Sequence, residues 1–337
     1  MELFFNRNPQ LTKWLVGSGA LHEPFVVVDV GVQGGENPRW HFLGDHLVFH
    51  GFDAIREVID DLQRQNAGSP TKTFHHCAIG DEDGEREFLF NPTNPTNSSF
   101  YPSEASQQQA RLVPIRRLDT LLAEGVIPKA DFLKVDVEGF EKHVFLGAQE
   151  LLAAGVLGVE CETSFATSVV YPATHFGLIH GLLLHHGLVA FDLSCDRFPR
   201  AAYHAARAKR SLPALPPQGS GKPAAFEVLF CRDVVCERND SLFFATPPPR
   251  ASVDQLLKMM VIYESHGYSD IAVDTAVAFA AELGQRIDVE RAIDLLCRQT
   301  DLAVEPVAQV LKQVYASTSW RITAPLRALG KALRRSG

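Results

Sequence analysis

Two segments about a hundred residues apart, FVVVDVGVQGG (Phe25–Gly35) and FLKVDVEG (Phe132–Gly139), constrain this chain more than anything else in it. Each is a short apolar, β-branched run that ends in acid and glycine. A strand buried on both faces of a parallel sheet has this unbroken apolar character, and it delivers its terminal polar groups to the carboxyl edge of the sheet. Ligands of open α/β sheets bind at that edge. A third apolar run closes on Asp53. Three acids brought to one edge point to a pocket for a nucleoside-bearing cofactor.

The surrounding pattern agrees. Strands are expected at Phe25–Val30, Leu47–Phe52, Thr73–Ile79, Phe132–Val137, Gly158–Glu162, Leu188–Leu193 and Phe226–Arg232. Helices are expected at Ala54–Asn66, Leu118–Glu124, Phe140–Ala154 and His175–His186. Alternation of this kind implies a mostly parallel, doubly covered α/β sheet with right-handed crossovers. Residues 91–110, rich in Asn, Pro, Ser and Gln, read as a loop or lid, and residues 196–224 as a surface insertion. A helical entry segment occupies 1–24, and the α/β domain runs over 25–246. After Pro247-Pro248-Pro249 the spacing turns helical, so 250–316 reads as a small helical appendage. The tail 317–337 carries Arg321, Arg327, Lys331, Arg334 and Arg335 beside a partial apolar face and no acid. Such a segment can lie on an anionic membrane surface, stay solvated, or contact a second copy in a homodimer.

Composition excludes several classes. A net charge of -8 with 21% charged residues offers no broad basic surface, which argues against nucleic-acid binding. The six cysteines show neither CxxC pairing nor zinc-finger spacing, and they read as reduced thiols of a cytoplasmic protein. The start MELFFNRNPQ lacks a signal-peptide pattern, and no run is long enough to span a membrane. G-x-S-x-G and P-loop motifs are missing from the sequence, which disfavours hydrolase and kinase chemistry.

In the first loop, Asp29-Val30-Gly31-Val32-Gln33-Gly34-Gly35, glycines let the backbone turn tightly and approach a ligand. Asp53 ends the next strand, where a carboxylate can accept from both hydroxyls of a ribose diol. A dinucleotide site uses similar logic but requires G-x-G-x-x-G over a pyrophosphate. Here Gln33 stands at that fingerprint's second glycine. S-adenosylmethionine has no phosphate to cradle, so the loop favours it over NAD.

These residues resemble the FkbM-type methyltransferases from about Val26 to Arg232. The blocks that carry the likeness are VVVDVGVQGG ending at Gly35, HGFDAIREVIDDL (50–62), CAIGDEDGEREF (77–88) and LDTLLAEGVIPKADFLKVDVEGFEKHVFLGAQELL (118–152), with VECETSF as a weaker fifth. The K-x-D-x-E-G-x-E string followed by L-G-A is the most specific. The resemblance implies a class I, Rossmann-like methyltransferase that uses S-adenosylmethionine, usually on a hydroxyl oxygen. It places Asp29, Gly31, Gly35 and Asp53 around the methionine and ribose, and Cys77 and Ala78 near the adenine. Gln33 stands where the family commonly has Asn, and Asp53 where it often has Glu; both keep the hydrogen-bonding type. The tail SWRITAPLR also resembles tails of bacterial surface-polysaccharide enzymes.

A sugar hydroxyl is a poor nucleophile and needs a base or a metal to remove its proton. Asp136, which follows the apolar Phe132, Leu133 and Val135, is the first candidate for a catalytic or substrate-orienting carboxylate; Glu160 and Glu138 follow. Glu141 suits the first turn of a helix instead. His143 is a lesser candidate base, and Asn97-Ser98-Ser99 could reach the substrate. Clustered carboxylates permit a divalent ion such as Mg²⁺, but no residue is assigned as a metal ligand. The expected activity is O-methylation of a sugar or glycan in surface-polysaccharide assembly. The rivals are an inactive scaffold that docks partners, which need not keep Asp29, Gly31, Asp53 and Asp136 together, and an NAD-linked sugar oxidoreductase, which would want a Tyr-x-x-x-Lys.

Overall fold

The computed structural model describes residues 3–102, 108–165, 174–198, 200–212, 222–239 and 250–303. The basic tail and the part of the expected helical appendage beyond residue 303 lie outside them. The strands are β1 (Phe25–Val30), β2 (Leu47–Asp53), β3 (Lys72–His76), β4 (Ala78–Ile79), β5 (Gly84–Phe90), β6 (Gln109–Arg116), β7 (Phe132–Val135), β8 (Gly158–Ser164), β9 (Leu188–Phe198) and β10 (Lys222–Arg232). The helices are α1 (Gln10–Ser18), α2 (Arg56–Gln65), α3 (Leu118–Ala123), α4 (Glu141–Leu146), α5 (Gln149–Ala153), α6 (Phe176–His185), α7 (Ala201–Ala208), α8 (Val234–Asn239), α9 (Val253–Ser265), α10 (Ser269–Ala278), α11 (Ala280–Leu283) and α12 (Val289–Ala303).

Seven strands form the main sheet in the order β3-β2-β1-β7-β8-β10-β9. Strands β3, β2, β1, β7 and β8 run parallel, whereas β10 pairs antiparallel with both β8 and β9. The order reverses at β1 and β7, so the two acid–glycine segments lie side by side at the switch point, where open sheets bind ligands. A separate three-stranded sheet, β4-β6-β5, flanks this edge.

Side-chain alternation splits the sheet into two cores. Val26, Val28 and Val30 join Leu133, Val135, Val144, Phe145 and Leu151 on one face. Phe25, Val27 and Phe132 face Trp40, α1 and α9 on the other. Trp40 wedges between Phe25 and Phe132, with ring centroids 5.2 and 4.9 Å away. Although it follows the main domain in sequence, α9 is part of this second core: Leu257, Met259, Met260, Ile262 and Tyr263 have no exposed surface.

Two differences from the sequence reading have local causes. The helix expected over Phe140–Ala154 breaks into α4 and α5 at Gly147-Ala148, where Gly147 packs so closely on Gly80 that a Cβ would stand 1.9 Å from its carbonyl oxygen. The expected insertion 196–224 begins with the extension of β9 to Phe198 and contains α7.

Helix α1 begins after Pro9, with no side-chain cap of its own. Its first amides are taken instead by Glu264 of α9: Leu11 N and Thr12 N each donate at 2.7 Å, and Thr12 Oγ1 donates at 2.6 Å. Glu264 is fully buried. Replacing it with alanine leaves buried donors unmet, and Glu264→Ala is expected to lower unfolding stability by about 3 kcal/mol, read from the urea midpoint.

Candidate active site

The β1 loop is fixed by β2. Gly31 N and Val32 N both donate to Phe52 O, at 2.9 and 3.1 Å, which places the loop beside Asp53. Gly31 adopts φ 91°, a value that L side chains avoid. An added Cβ would lie 1.8 Å from the backbone oxygen of Asp136, so the loop and the end of β7 touch directly. Asp136 N in turn donates to Val30 O at 2.9 Å.

Two cavities open at this edge. The first is lined by Gly31, Gln33, Asp53, Cys77, Ala78 and Asp136, with Phe52 and Ile79 supplying apolar wall. The second is lined by Asp29, Gly31, Gly35, Arg39, Lys134, Asp136 and Glu160 among others. Gly31 and Asp136 belong to both. All seven expected cofactor residues therefore line one cavity or the other, and so do Asp136, Glu138 and Glu160.

Burial shapes the acids. It pushes Asp53 up to about 6, against the hydrogen bond that Ile55 N donates to Asp53 Oδ1. Asp29, also buried, is pushed up to about 7 by burial and by the acids around it, with Lys134 opposing. One oxygen of Asp29, Oδ1, is buried without a hydrogen-bond partner. Lys134 stands in register between Asp29 and Glu160 on adjacent strands and donates to Asp136 Oδ2 at 3.1 Å. Burial opposes its charge, but Asp29, Asp136 and Glu160 outweigh that and hold the ammonium on. The Cys77 thiol is raised to about 11 by burial and stays neutral.

Glu160 sits differently from its expected role. Arg39 Nη1 donates to Glu160 Oε2 at 2.6 Å, and both side chains are almost wholly buried. Despite burial, the charges of Arg39 and Lys134 hold its carboxyl well below the usual range. It is a locked anion. Glu138 follows the end of β7 in a turn at φ 53°, where Ser99 Oγ donates to its backbone oxygen at 2.6 Å. Burial and the neighbouring Asp136 and Glu141 raise Glu138 to about 7. Glu141 is structural: its Oε1 accepts from Gly139 N at 3.0 Å and from Val137 N at 3.3 Å, holding the turn.

The loop expected as a lid contributes Thr96, Ser98 and Phe100 to the first cavity, and Gln33 Nε2 ties it to the cofactor loop through Pro95 O at 3.2 Å. His143 lines neither cavity; its Nδ1 pairs with Asp81 at 2.9 Å and its ring stacks on Phe140. Sequence reading did not single out Arg39, His266 or Glu227. They come from segments remote from one another, and nothing in their spacing joins them. Glu162, which ends the strand expected from sequence, meets Asp136 and Glu138 with one oxygen each within 4.8 Å of the others. A hard cation such as Mg²⁺ could take three carboxylate oxygens there, but no other feature of the described residues calls for one.

A mostly parallel sheet of this order, with an antiparallel strand beside β8 and an acid–glycine loop at its switch point, is the fold of the class I methyltransferases. Residues 30–187 match the FkbM methyltransferase domain. The match covers a little under half of the chain. No curated protein matches it in sequence. Among solved structures it is similar to the FkbM methyltransferase from Methylobacillus flagellatus, at 12% identity and a TM-score of 0.37 over 61% of this chain but only 43% of that one. It is also similar to an rRNA methylase from Streptococcus thermophilus, at 11% identity and TM-score 0.33 over 68% of this chain and 98% of that one. The N-methyltransferase NodS from Bradyrhizobium japonicum matches at 10% identity and TM-score 0.30 over 67% and 94% of the two chains. Resemblances this distant carry nothing about substrate.

The family implies S-adenosylmethionine, and the residues present fit it. Asp29 Oδ1 is an orphaned buried acceptor, the backbone at Gly31 is clear of side chain, and Asp53 lines the wall beside apolar Phe52, Ala78 and Ile79. No helix among the described residues is long and apolar enough to cross a membrane.

Proposed function

We propose that the protein is an O-methyltransferase that methylates a hydroxyl of a sugar or glycan. The observation that carries this reading is the meeting of the two cavities at Gly31 and Asp136. One cavity holds the groups suited to an adenosine, the other the charged groups suited to an amino acid, and a carboxylate stands at their junction.

When bound, S-adenosylmethionine supplies an electrophilic methyl group on a sulfonium. Asp53 would bind the ribose diol, Cys77 and Ala78 would flank the adenine, and Asp29 would take the ammonium. The chain's remaining work is alignment and deprotonation, since methyl transfer is an in-line displacement. Asp136 would accept the proton of the acceptor hydroxyl. Lys134 Nζ donates to Asp136 Oδ2 at 3.1 Å and so orients that carboxylate. Glu138 borders the acceptor side. Glu160 supports the wall through Arg39.

The glycan acceptor, the surface-polysaccharide pathway and a cytoplasmic place at the inner face of the membrane rest on the resemblance of the SWRITAPLR tail and on its basic, amphipathic composition. The test is transfer of label from methyl-labelled S-adenosylmethionine to a panel of free, nucleotide-linked and lipid-linked sugars. Formation of a methyl ether supports the reading; label found only on nitrogen acceptors contradicts it.

A further inference from the structure

Three residues lining the second cavity carry a buried polar atom without a hydrogen-bond partner; Glu36 Oε2 is ion-paired with Lys72, which leaves two orphans of opposite kind. Asp29 is 4% exposed and its Oδ1 has no donor; Arg39 is 4% exposed and its Nε has no acceptor. A buried polar atom without a partner costs free energy of the order of a lost hydrogen bond, so such atoms mark where a partner belongs. A ligand that satisfies both must carry a donor and an acceptor at one end. An amino-acid zwitterion does, with its ammonium and its carboxylate.

Arg39 is aimed by other residues. Its Nη1 donates to Glu160 Oε2 at 2.6 Å and contacts His266 Nε2. His266 follows the last residue of α9, and its Nδ1 lies 2.7 Å from Ile262 O, a carbonyl that can only accept. The proton is therefore on Nδ1, which leaves Nε2 as the acceptor that Arg39 requires. Stacking of the His266 ring on Phe132, with centroids 5.6 Å apart, fixes the imidazole against the sheet. A guanidinium held on one nitrogen by a carboxylate and an imidazole keeps its planar fork oriented, which a lysine would not.

We infer that Arg39 binds the carboxylate of the cofactor's amino-acid end opposite Asp29, and that His266 is a positioning residue which makes this recognition depend on helix α9. The inference rests on the S-adenosylmethionine reading above. It assigns the helices beyond residue 250 a part in building the cofactor site.

Calorimetry on the full chain with three ligands tests it: S-adenosylmethionine, its decarboxylated analogue, and 5′-methylthioadenosine, which lacks the amino-acid end. The wild-type protein should bind the decarboxylated analogue about tenfold or more weaker than S-adenosylmethionine, the scale of one charge-assisted hydrogen bond. Arg39→Met should erase that difference. His266→Gln should weaken S-adenosylmethionine several-fold and leave 5′-methylthioadenosine unchanged, whereas a merely structural loss would weaken both. If Arg39→Met fails to fold, the wild-type comparison and His266→Gln still decide. Equal affinity of the wild type for S-adenosylmethionine and its decarboxylated analogue overturns this inference alone. Failure of S-adenosylmethionine itself to bind overturns it together with the methyltransferase reading.

Discussion

Gly31→Ala is expected to cost the protein more than about 4 kcal/mol, enough to unfold a domain of ordinary stability. Two effects combine. The backbone at Gly31 has φ 91°, which strains any L side chain. The added methyl would stand 1.8 Å from Asp136 O and 2.8 Å from its carbonyl carbon. Neither neighbour is the free end of a flexible side chain; both are backbone atoms at the end of β7. Relief would require β1 and β7 to part at the place where the two cavities meet. Gly34→Ala is the control, because a Cβ there meets nothing within 4 Å. It should unfold within about 1 kcal/mol of wild type in urea. Equal midpoints for the two variants would show that the loop is not packed as described.

Asp136→Asn should lower the rate of methyl transfer by about 10²–10⁴-fold, the range that a positioned general base supplies. Folding and cofactor binding should survive, since the amide is isosteric and the backbone contact between Asp136 and Gly31 is untouched. Glu160→Gln is the informative comparison. Glu160 is tied up by Arg39 and lies outside the proton transfer, so its loss should act through stability and cofactor affinity, with the pH profile of turnover unmoved. A reversal, in which Glu160→Gln abolishes turnover and Asp136→Asn does not, would exchange the two roles. Rates from single-turnover reactions on folded protein distinguish these outcomes.

Much of this site was legible because its signals are local. The run Phe25–Val30 is a strand within the residue limits read from sequence, and Asp53 ends β2, because unbroken β-branched runs bounded by glycine and acid leave little choice of structure. The first cavity's Asp53, Cys77 and Ala78 follow from strand ends in the same way. What was not legible is what depends on distant packing. Strand β6 went unassigned because Leu112, which is exposed, and Pro114 interrupt in sequence the alternation that buried Val113 and Ile115 follow in the structure. The antiparallel β10 reads like any buried strand; its apolar run carries no mark of direction, which only its pairing with β8 and β9 reveals. Glu160 looked like a base because sequence shows a carboxylate within a buried strand and hides Arg39, 121 positions away, that occupies it. Helix α9 has an ordinary helical spacing, and only its burial between α1 and the sheet shows that it belongs to the core.

The most direct test of the central claim is calorimetric titration of the purified protein with S-adenosylmethionine and with NAD, alongside Asp53→Ala. Micromolar binding of S-adenosylmethionine, reduced about tenfold or more in Asp53→Ala and without measurable binding of NAD, is the predicted result. Binding of NAD alone, or of neither ligand, would contradict it.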